Sequence, residues 1–246
     1  MGIRYQKMRY MQTDITSKGY SIYRQGHTTL IYVSSNPGLK DIIPKEGPIG
    51  EPTMLRGRSQ IGMLGDNMVV RTLQHGGALR HITGDAFACT GRSIREIETS
   101  TVLRRNHIPT PEVLALRLIK KGAFYHITVL TKLVPNATDL LTYLESPGRD
   151  YKKILSDTGH VIRRMHELKI FHADLHLKNI LLDRDLCPWI IDLDKARGLP
   201  IMPLPLKRAN IRRFMRSCRK WHSCGRIHLP EDYDAMLMKG YNHLNQ

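Results

Sequence analysis

Residues 170–197 read IFHADLHLKNILLDRDLCPWIIDLDKAR, in which short apolar runs alternate with polar and charged residues. Two short apolar runs, ILL at residues 180–182 and WII at residues 189–191, predict the strands of a buried hairpin. The charged residues 183–185 between them predict its turn. A polar loop precedes the hairpin and an acidic residue follows it, so the stretch places chemically active groups at the ends of buried strands.

Three of these polar side chains have the spacing of a phosphoryl-transfer site. Asp174 and Asn179 lie in the loop, and Asp192 follows thirteen residues after Asn179. In such a site Asp174 accepts the proton of an attacking hydroxyl group, while Asn179 and Asp192 hold Mg²⁺ against nucleotide phosphates. Oxygen ligands suit this hard cation. A merely solvated acidic loop would not explain why the polar groups fall between apolar strands in this order.

The composition describes a globular and strongly basic chain. Its 246 residues, 41% of them hydrophobic, suffice for one domain or two small lobes. The 38 basic and 22 acidic side chains give a formal charge of +16, which predicts an anionic partner: an acidic membrane surface, a phosphorylated substrate or nucleic acid. We expect no transmembrane segment and no secretory signal. Four scattered cysteines favour reduced thiols in the cytoplasm.

The chain divides by composition into three segments. Residues 1–53 form a polar arm with short strands and a Pro/Gly-rich connection, residues 54–133 a strand-rich lobe, and residues 134–246 a mainly helical lobe. Helices are predicted over 93–105, 138–144, 151–168 and 206–222, and strands over 20–23, 29–33, 68–73, 113–119 and 124–133. The polar loop follows the predicted helix over 151–168.

The strand-rich lobe carries candidates for nucleotide binding. Gly57 and Gly62 flank polar residues in a predicted hairpin that could lay backbone N–H groups over phosphates, although an ordinary hairpin fits these residues as well. Arg71 lies in the next strand, where it either points outward or bridges a phosphate to a helix carboxylate. The following helix offers that carboxylate as Glu96 or Glu98, and its apolar residues do not decide between them.

Five segments carry a resemblance to a known family: VVRTLQHGGALRHITGDAF, SIREIETSTVLRRNHIPTPEVLAL, FHADLHLKNILLD, IIDLDKAR and LKRANIRRFMRS. Through them, residues 56–241 resemble the 3-deoxy-D-manno-octulosonic acid (Kdo) kinases of the lipopolysaccharide kinase family, within the protein-kinase-like superfamily. The resemblance implies an α+β, two-lobed fold with a small antiparallel-sheet N-lobe and a reduced, mainly helical C-lobe. It also implies Asp174 as the base, Asn179 and Asp192 as metal ligands, and Glu96 as the helix acid.

The same resemblance implies an activity. Kdo kinases use ATP and Mg²⁺ to phosphorylate a hydroxyl group of Kdo on a lipid A precursor, at the cytoplasmic face of the inner membrane of a Gram-negative bacterium. We therefore expect a glycolipid substrate and peripheral contact with an anionic membrane surface. No acid occurs between Asp194 and Glu231, and residues 206–222 predict a basic amphipathic helix. We expect its apolar stripe to pack on the core and its cations to face anionic headgroups.

Other functions share part of this pattern. A heptose kinase of the lipopolysaccharide core has the same motifs, and only an acceptor assay separates the two. An aminoglycoside-type phosphotransferase shares the loop but would require an acidic cleft, whereas the region after Asp192 is basic. Only 54 residues follow Asp192, too few for the peptide-binding subdomain of a protein kinase. A non-catalytic pseudokinase that binds membranes or nucleic acid would be expected to have lost the metal ligands and the base. Because Asp174, Asn179 and Asp192 are all present, this function is not favoured, and nucleic acid is not the expected partner.

Overall fold

A computed structural model describes residues 15–44, 46–52, 61–73, 86–146 and 148–243. The fold is mixed α+β, as predicted. The strands are β1 (Tyr20–Gln25), β2 (Thr28–Val33), β3 (Glu51–Pro52), β4 (Ile61–Leu64), β5 (Met68–Thr72), β6 (Ala86–Phe87), β7 (Val113–Lys121), β8 (Phe124–Lys132), β9 (Thr138–Asp139), β10 (Ile170–His172), β11 (Ile180–Leu182), β12 (Pro188–Ile190) and β13 (Ala196–Gly198). The helices are α1 (Leu39–Ile42), α2 (Gly91–Arg105), α3 (Leu140–Leu144), α4 (Tyr151–Glu167), α5 (Leu204–Ser223) and α6 (Tyr233–Asn242), with short 3₁₀ turns at Leu177–Asn179 and Leu193–Lys195.

The chain forms two compact units. The first contains the described residues up to Thr101 together with Glu112–Leu133, and the second contains Val102–Pro111 together with the described residues from Val134 onward. Each unit has its own hydrophobic core. Strands β1 and β2, which precede the predicted lobe boundary at residue 54, lie in the same sheet as the other strands of the first unit.

The first unit is built on an antiparallel sheet. Its strand order is β1-β2-β7-β8-β5-β4-β3, and β6 pairs with β8. In the middle of the sheet, Leu116 of β7 and Leu130 of β8 are fully inaccessible. Helix α2 joins the same core through Ile94 and Ile97. Gly65 lies in the turn between β4 and β5 and Gly122 in the turn between β7 and β8, and both have positive φ, which glycine adopts without steric cost.

The second unit surrounds the predicted hairpin with helices. Ile180 of β11 lies opposite Ile190 of β12, as the two apolar runs predicted. The carboxylate of Asp183 stabilises the turn because it accepts hydrogen bonds from the backbone N–H of Asp185 and Cys187 (3.0 and 2.9 Å) and from the Trp189 indole (2.8 Å). The predicted helix over 138–144 is shorter: β9 pairs with β11, and Asp139 then caps α3 by accepting from the Thr142 N–H (3.1 Å).

Helices α4 and α6 approach to backbone contact at two glycines. A Cβ atom at Gly159 would overlap the carbonyl oxygen of Leu237, and one at Gly240 would overlap that of Ser156. Both obstacles are backbone atoms, which cannot rotate away. The glycines therefore set the helix separation, and α6 closes the core against α4.

Replacing Gly159 by Ala is expected to lower the free energy of unfolding by about 1–3 kcal/mol, since a methyl group must push two packed helices apart. Urea unfolding followed by circular dichroism measures this change. Gly198→Ala is the matched control, because a Cβ there meets no atom within 4 Å. Equal midpoints for the two variants would contradict the close packing.

Candidate active site

In the first unit, Arg71 and Glu96 form a part-buried ion pair. Arg71 lies on β5 and its Nη2 is 2.5 Å from Oε1 of Glu96 on α2. The Glu96 side chain is only 4% exposed. Glu98 instead pairs with Lys18 at 3.3 Å. The structure therefore selects Glu96 from the two acids that the sequence allowed.

The two predicted glycines have different outcomes. Gly62 lies within β4, where it is opposite Val70 of β5. It is thus part of a paired strand. Gly57 lies outside the described residues. The phosphate-binding role of both glycines stays a prediction.

In the second unit, the residues from His172 to Asn179 form the predicted polar loop between β10 and β11. His172 is fully buried; its Nδ1 accepts the Asp174 N–H (3.2 Å), and its Nε2 donates to the carbonyl of Ile191 (3.1 Å). Burial lowers the pKa of His172, which keeps the ring neutral and fits this pattern of one donor and one acceptor. His172 therefore ties the loop backbone at Asp174 to the strand end just before Asp192.

The amide of Asn179 closes the same loop. Its Nδ2 donates to the carbonyl oxygen of Asp174 (2.8 Å), and its own carbonyl accepts the Ile191 N–H (3.0 Å). The side-chain oxygen of Asn179 is not used in that bond. Asp192 follows Ile191 with φ 59° and ψ 55°, a left-handed conformation that is sparsely populated outside glycine. Asn179 and Asp192 thus place two oxygen-donor side chains on neighbouring backbone positions.

The Asp174 carboxylate meets two cations. Lys195 Nζ lies 2.6 Å from Oδ2, and Arg213 of α5 contacts Oδ1 through Nη2. Burial acts to raise the pKa of Asp174, but the hydrogen bonds and charges of Lys195 and Arg213 outweigh it and lower the pKa to about 2. His176 Nε2 is 4.0 Å from the same carboxylate. Asp174 is therefore ionised throughout the physiological pH range.

Helix α5 packs as predicted but contributes more than expected. Phe214, Met215 and Cys218 of its apolar stripe are buried in the second core. Arg213, which the amphipathic pattern grouped with the cations facing anionic headgroups, is instead in contact with Asp174. This contact arises because α5 crosses the loop on this side: Ser217 Oγ accepts the Leu177 N–H at 3.3 Å. The predicted membrane contact of the α5 cations stays a prediction.

A buried polar chain supports the loop from behind. Asn210 of α5 donates to the His172 carbonyl (2.8 Å), and its Oδ1 accepts from the His172 N–H (3.2 Å) and from His166 Nε2 (3.1 Å). His166 Nδ1 completes the chain at 2.8 Å from the Tyr241 hydroxyl of α6. Burial lowers the pKa of His166 to about 4, with the charges of Lys207 and Arg163 acting in the same direction, and the bond to Asn210 opposes this only in part.

The burial of His166 leads us to expect a loss of stability on mild acidification. The pKa of His166 is about 4 in the folded state against 6.5 ordinarily, so below pH 6.5 the unfolded chain binds a proton that the folded chain does not. We expect the free energy of unfolding to fall by about 2 kcal/mol between pH 7 and pH 5 from this group alone. Urea titrations at both pH values measure the change, and His166→Gln should reduce it by that amount. An unchanged pH dependence in the variant would contradict the assignment.

Sequence reasoning missed Lys195, Arg213 and Asn210. Lys195 follows Asp192 by three positions and had a usable signal, since a cation directly after a metal-ligand candidate is close to the same site. Arg213 is one of several cations on α5, and nothing in the sequence distinguishes it from the others. Asn210 was a polar residue within a helix that only its complete burial distinguishes.

Two features are absent from the described part of the chain. No group of three or more His, Cys, Asp and Glu side chains is arranged there to hold a metal ion. Nor does any helix in these residues have the length and apolar character that crossing a membrane requires. A magnesium site built on Asn179 and Asp192 is not such a cluster, because Mg²⁺ commonly takes one or two protein ligands and completes its shell with water and phosphate.

The mixed fold and a loop with this geometry define a phosphotransferase of the protein-kinase-like class. Residues 45–241 match the family model described as "Lipopolysaccharide kinase (Kdo/WaaP) family". The chain therefore belongs to the lipopolysaccharide kinase (Kdo/WaaP) family. This confirms the predicted family and the predicted kind of enzyme.

Individual relatives agree with the family match. The 3-deoxy-D-manno-octulosonic acid kinase of Vibrio cholerae serotype O1 is 36% identical over 172 residues, which cover 63% of this chain and 71% of the relative. The protein of the same name from Vibrio parahaemolyticus serotype O3:K6 is 30% identical over 183 residues, 72% of this chain and 74% of the relative. These matches favour the kinase over the aminoglycoside-type and non-catalytic alternatives.

Proposed function

We propose that the protein transfers the γ-phosphate of ATP to a hydroxyl group of Kdo on a lipid A precursor. The observation that carries the chemistry is the ionised Asp174 carboxylate, held in its loop by His172 and Asn179. The names of the Vibrio relatives support Kdo as the acceptor. The transfer forms a bond between the acceptor oxygen and the γ-phosphorus as the bond to the β-bridging oxygen breaks, and ADP leaves.

Asp174 orients the acceptor hydroxyl and takes its proton. A carboxylate with a pKa of about 2 is a weak base, so it accepts the proton only once the oxygen has begun to bond to phosphorus and has become acidic. This order fits phosphoryl transfer, whose loose transition state requires positioning and charge stabilisation more than strong base catalysis. In the first unit, the Arg71–Glu96 pair presents a fixed guanidinium group for the α- and β-phosphates of the nucleotide.

Asn179 and Asp192 are the residues that would hold Mg²⁺. They fit the ion because Asn179 bonds to the loop through its Nδ2 and not through its side-chain oxygen. Asp192 follows Ile191, whose N–H is bonded to the backbone of Asn179, so it supplies a second oxygen donor nearby. When bound, Mg²⁺ neutralises charge on the nucleotide phosphates. The chain itself contributes the rigid loop that keeps both oxygen donors in place.

Replacing Asp192 by Asn should raise the Mg²⁺ concentration for half-maximal transfer by more than about tenfold, because a neutral amide binds a hard cation less well than a carboxylate. Rates measured across a Mg²⁺ titration give this value. Asp185→Asn, at the exposed turn of the same hairpin, is the control. A lower maximal rate at an unchanged Mg²⁺ requirement would remove Asp192 from the metal site.

The acceptor is tested by transfer of labelled phosphate from ATP. Parallel reactions contain a Kdo-bearing lipid A precursor, a heptosylated core acceptor, an aminoglycoside or no acceptor. Labelling of the Kdo lipid alone is the expected result. Labelling of the heptosylated acceptor alone would retain the enzyme class and replace the substrate, and ATP binding without any transfer would favour a non-catalytic role.

We further propose that the enzyme works at the cytoplasmic face of the inner membrane. Exposed cations on α5, including Arg212, Arg216 and Arg219, support contact with anionic headgroups, each contributing about 1 kcal/mol near such a surface. Flotation with vesicles containing 30% anionic lipid should recover the protein at low salt and lose it at high salt. Flotation that is equal with neutral vesicles would contradict an electrostatic contact.

A further inference from the structure

Two cations share the carboxylate of Asp174, and both reach the surface. The Lys195 and Arg213 side chains are 44% and 45% exposed, whereas Asp174 is 16% exposed. Two cations thus share one carboxylate. Among the described residues, no other carboxylate forms an ion pair with either cation. Both cations are therefore accessible to an anion from solution.

Folding does not explain this arrangement. Ion pairs with exposed partners contribute little to stability, and both cations here are nearly half exposed. The Arg213 side chain uses one nitrogen of its planar fork on Asp174 Oδ1, and Lys195 uses one of three ammonium protons on Oδ2. Both cations keep hydrogen-bond donors for a second partner.

We propose that Lys195 and Arg213 bind the carboxylate of an acidic acceptor sugar and so select it over a neutral one. This inference rests on the proposed function, because it assigns residues to a Kdo acceptor. The attacking hydroxyl group must reach Asp174, and a carboxylate on the same sugar then lies beside the cations that already contact Asp174. A guanidinium fork matches a carboxylate in two parallel hydrogen bonds.

The same arrangement gives the site a means of rejection. A neutral sugar at Asp174 offers no group to the two cations, and polar groups of a site that lose their partner penalise the wrong substrate. The cations thus distinguish an acidic sugar such as Kdo from a neutral heptose. The two cations therefore affect the choice of acceptor sugar and not the choice of nucleotide.

The test compares two acceptors that differ only in charge: the Kdo-bearing lipid A precursor and its derivative in which the Kdo carboxylate is a carboxamide. The wild-type protein should prefer the carboxylate by about 100-fold in kcat/KM. In Arg213→Gln and in Lys195→Gln this preference should fall below about tenfold, and Arg213→Lys should retain more of it than Arg213→Gln. Arg208→Gln, an exposed cation on the same helix, should keep the wild-type ratio.

Two results overturn the proposal and leave the proposed function standing: wild-type transfer that is equal for both acceptors, or an equal loss for both acceptors in each variant. The second result would place the cations on the transferred phosphate. No wild-type transfer to the Kdo lipid would instead overturn the proposed function and this inference together. Thermal unfolding of each variant establishes that the ratio is measured on folded protein, and two independent cations keep the test valid if one variant fails to fold.

Discussion

Replacing Asp174 by Asn is expected to lower the turnover number for phosphate transfer by about 10³-fold, within the range that proton-transfer catalysis contributes. The amide has the same shape but cannot take the hydroxyl proton. It also leaves Lys195 and Arg213 without the carboxylate that they now share. The loop itself should persist, because its hydrogen bonds to His172 and Asn179 use the backbone of Asp174.

Initial rates with labelled ATP and the Kdo lipid measure this effect, and thermal unfolding checks that the variant is folded. Asp183→Asn is the informative comparison. Asp183 lies in the same segment but stabilises the hairpin turn, so its loss should reduce stability and leave the turnover number of the folded protein near that of the wild type. More than a tenth of wild-type turnover in Asp174→Asn would exclude the base role.

Replacing Arg71 by Met is expected to destabilise the first unit by about 3 kcal/mol and to weaken ATP binding. The change removes a cation 2.5 Å from a carboxylate that is 4% exposed, and separating such an ion pair is costly because the remaining charge keeps its desolvation penalty. Urea unfolding gives the stability, and calorimetric titration gives the affinity for ATP. Converting Glu96 to Met as well should recover part of the stability but none of the affinity.

The Lys18–Glu98 pair provides an internal control for this prediction. It joins the same helix at 3.3 Å, but its side chains are 18% and 33% exposed, and the pair is therefore better solvated. Lys18→Met should cost less than about 1 kcal/mol and leave ATP binding unchanged. Equal effects at both pairs would mean that Arg71 is an ordinary surface charge.

Features that depend on neighbouring residues could be predicted from the sequence. The hairpin of β11 and β12 followed from two apolar runs and an acidic turn, and the long helix α4 followed from its period. The loop between them followed because Asp174 and Asn179 stand at fixed offsets from those strands. Each of these inferences uses interactions within about twenty residues, where spacing along the chain nearly determines spacing in the fold.

Glu96 marks the first limit of that reasoning. Helix α2 buries Ser93, Thr99 and Ser100 beside its apolar residues, so the pattern does not show which side of the helix faces the sheet. Only the packing against β5 distinguished Glu96 from Glu98. The family resemblance indicated the same residue, but the chain's own periodicity did not.

The sequence was enough to predict the α+β fold, the hairpin and the polar loop with its three candidate site residues. Which groups surround those residues became visible only in the packed fold. Lys195 and Arg213 lie 21 and 39 positions from Asp174, and Asn210 lies 38 from His172. The physical reason is that the path of α5 across the loop results from burying Phe214 and Cys218 in the core. Which of its many cations then meets the carboxylate depends on that packing, and no local pattern records it.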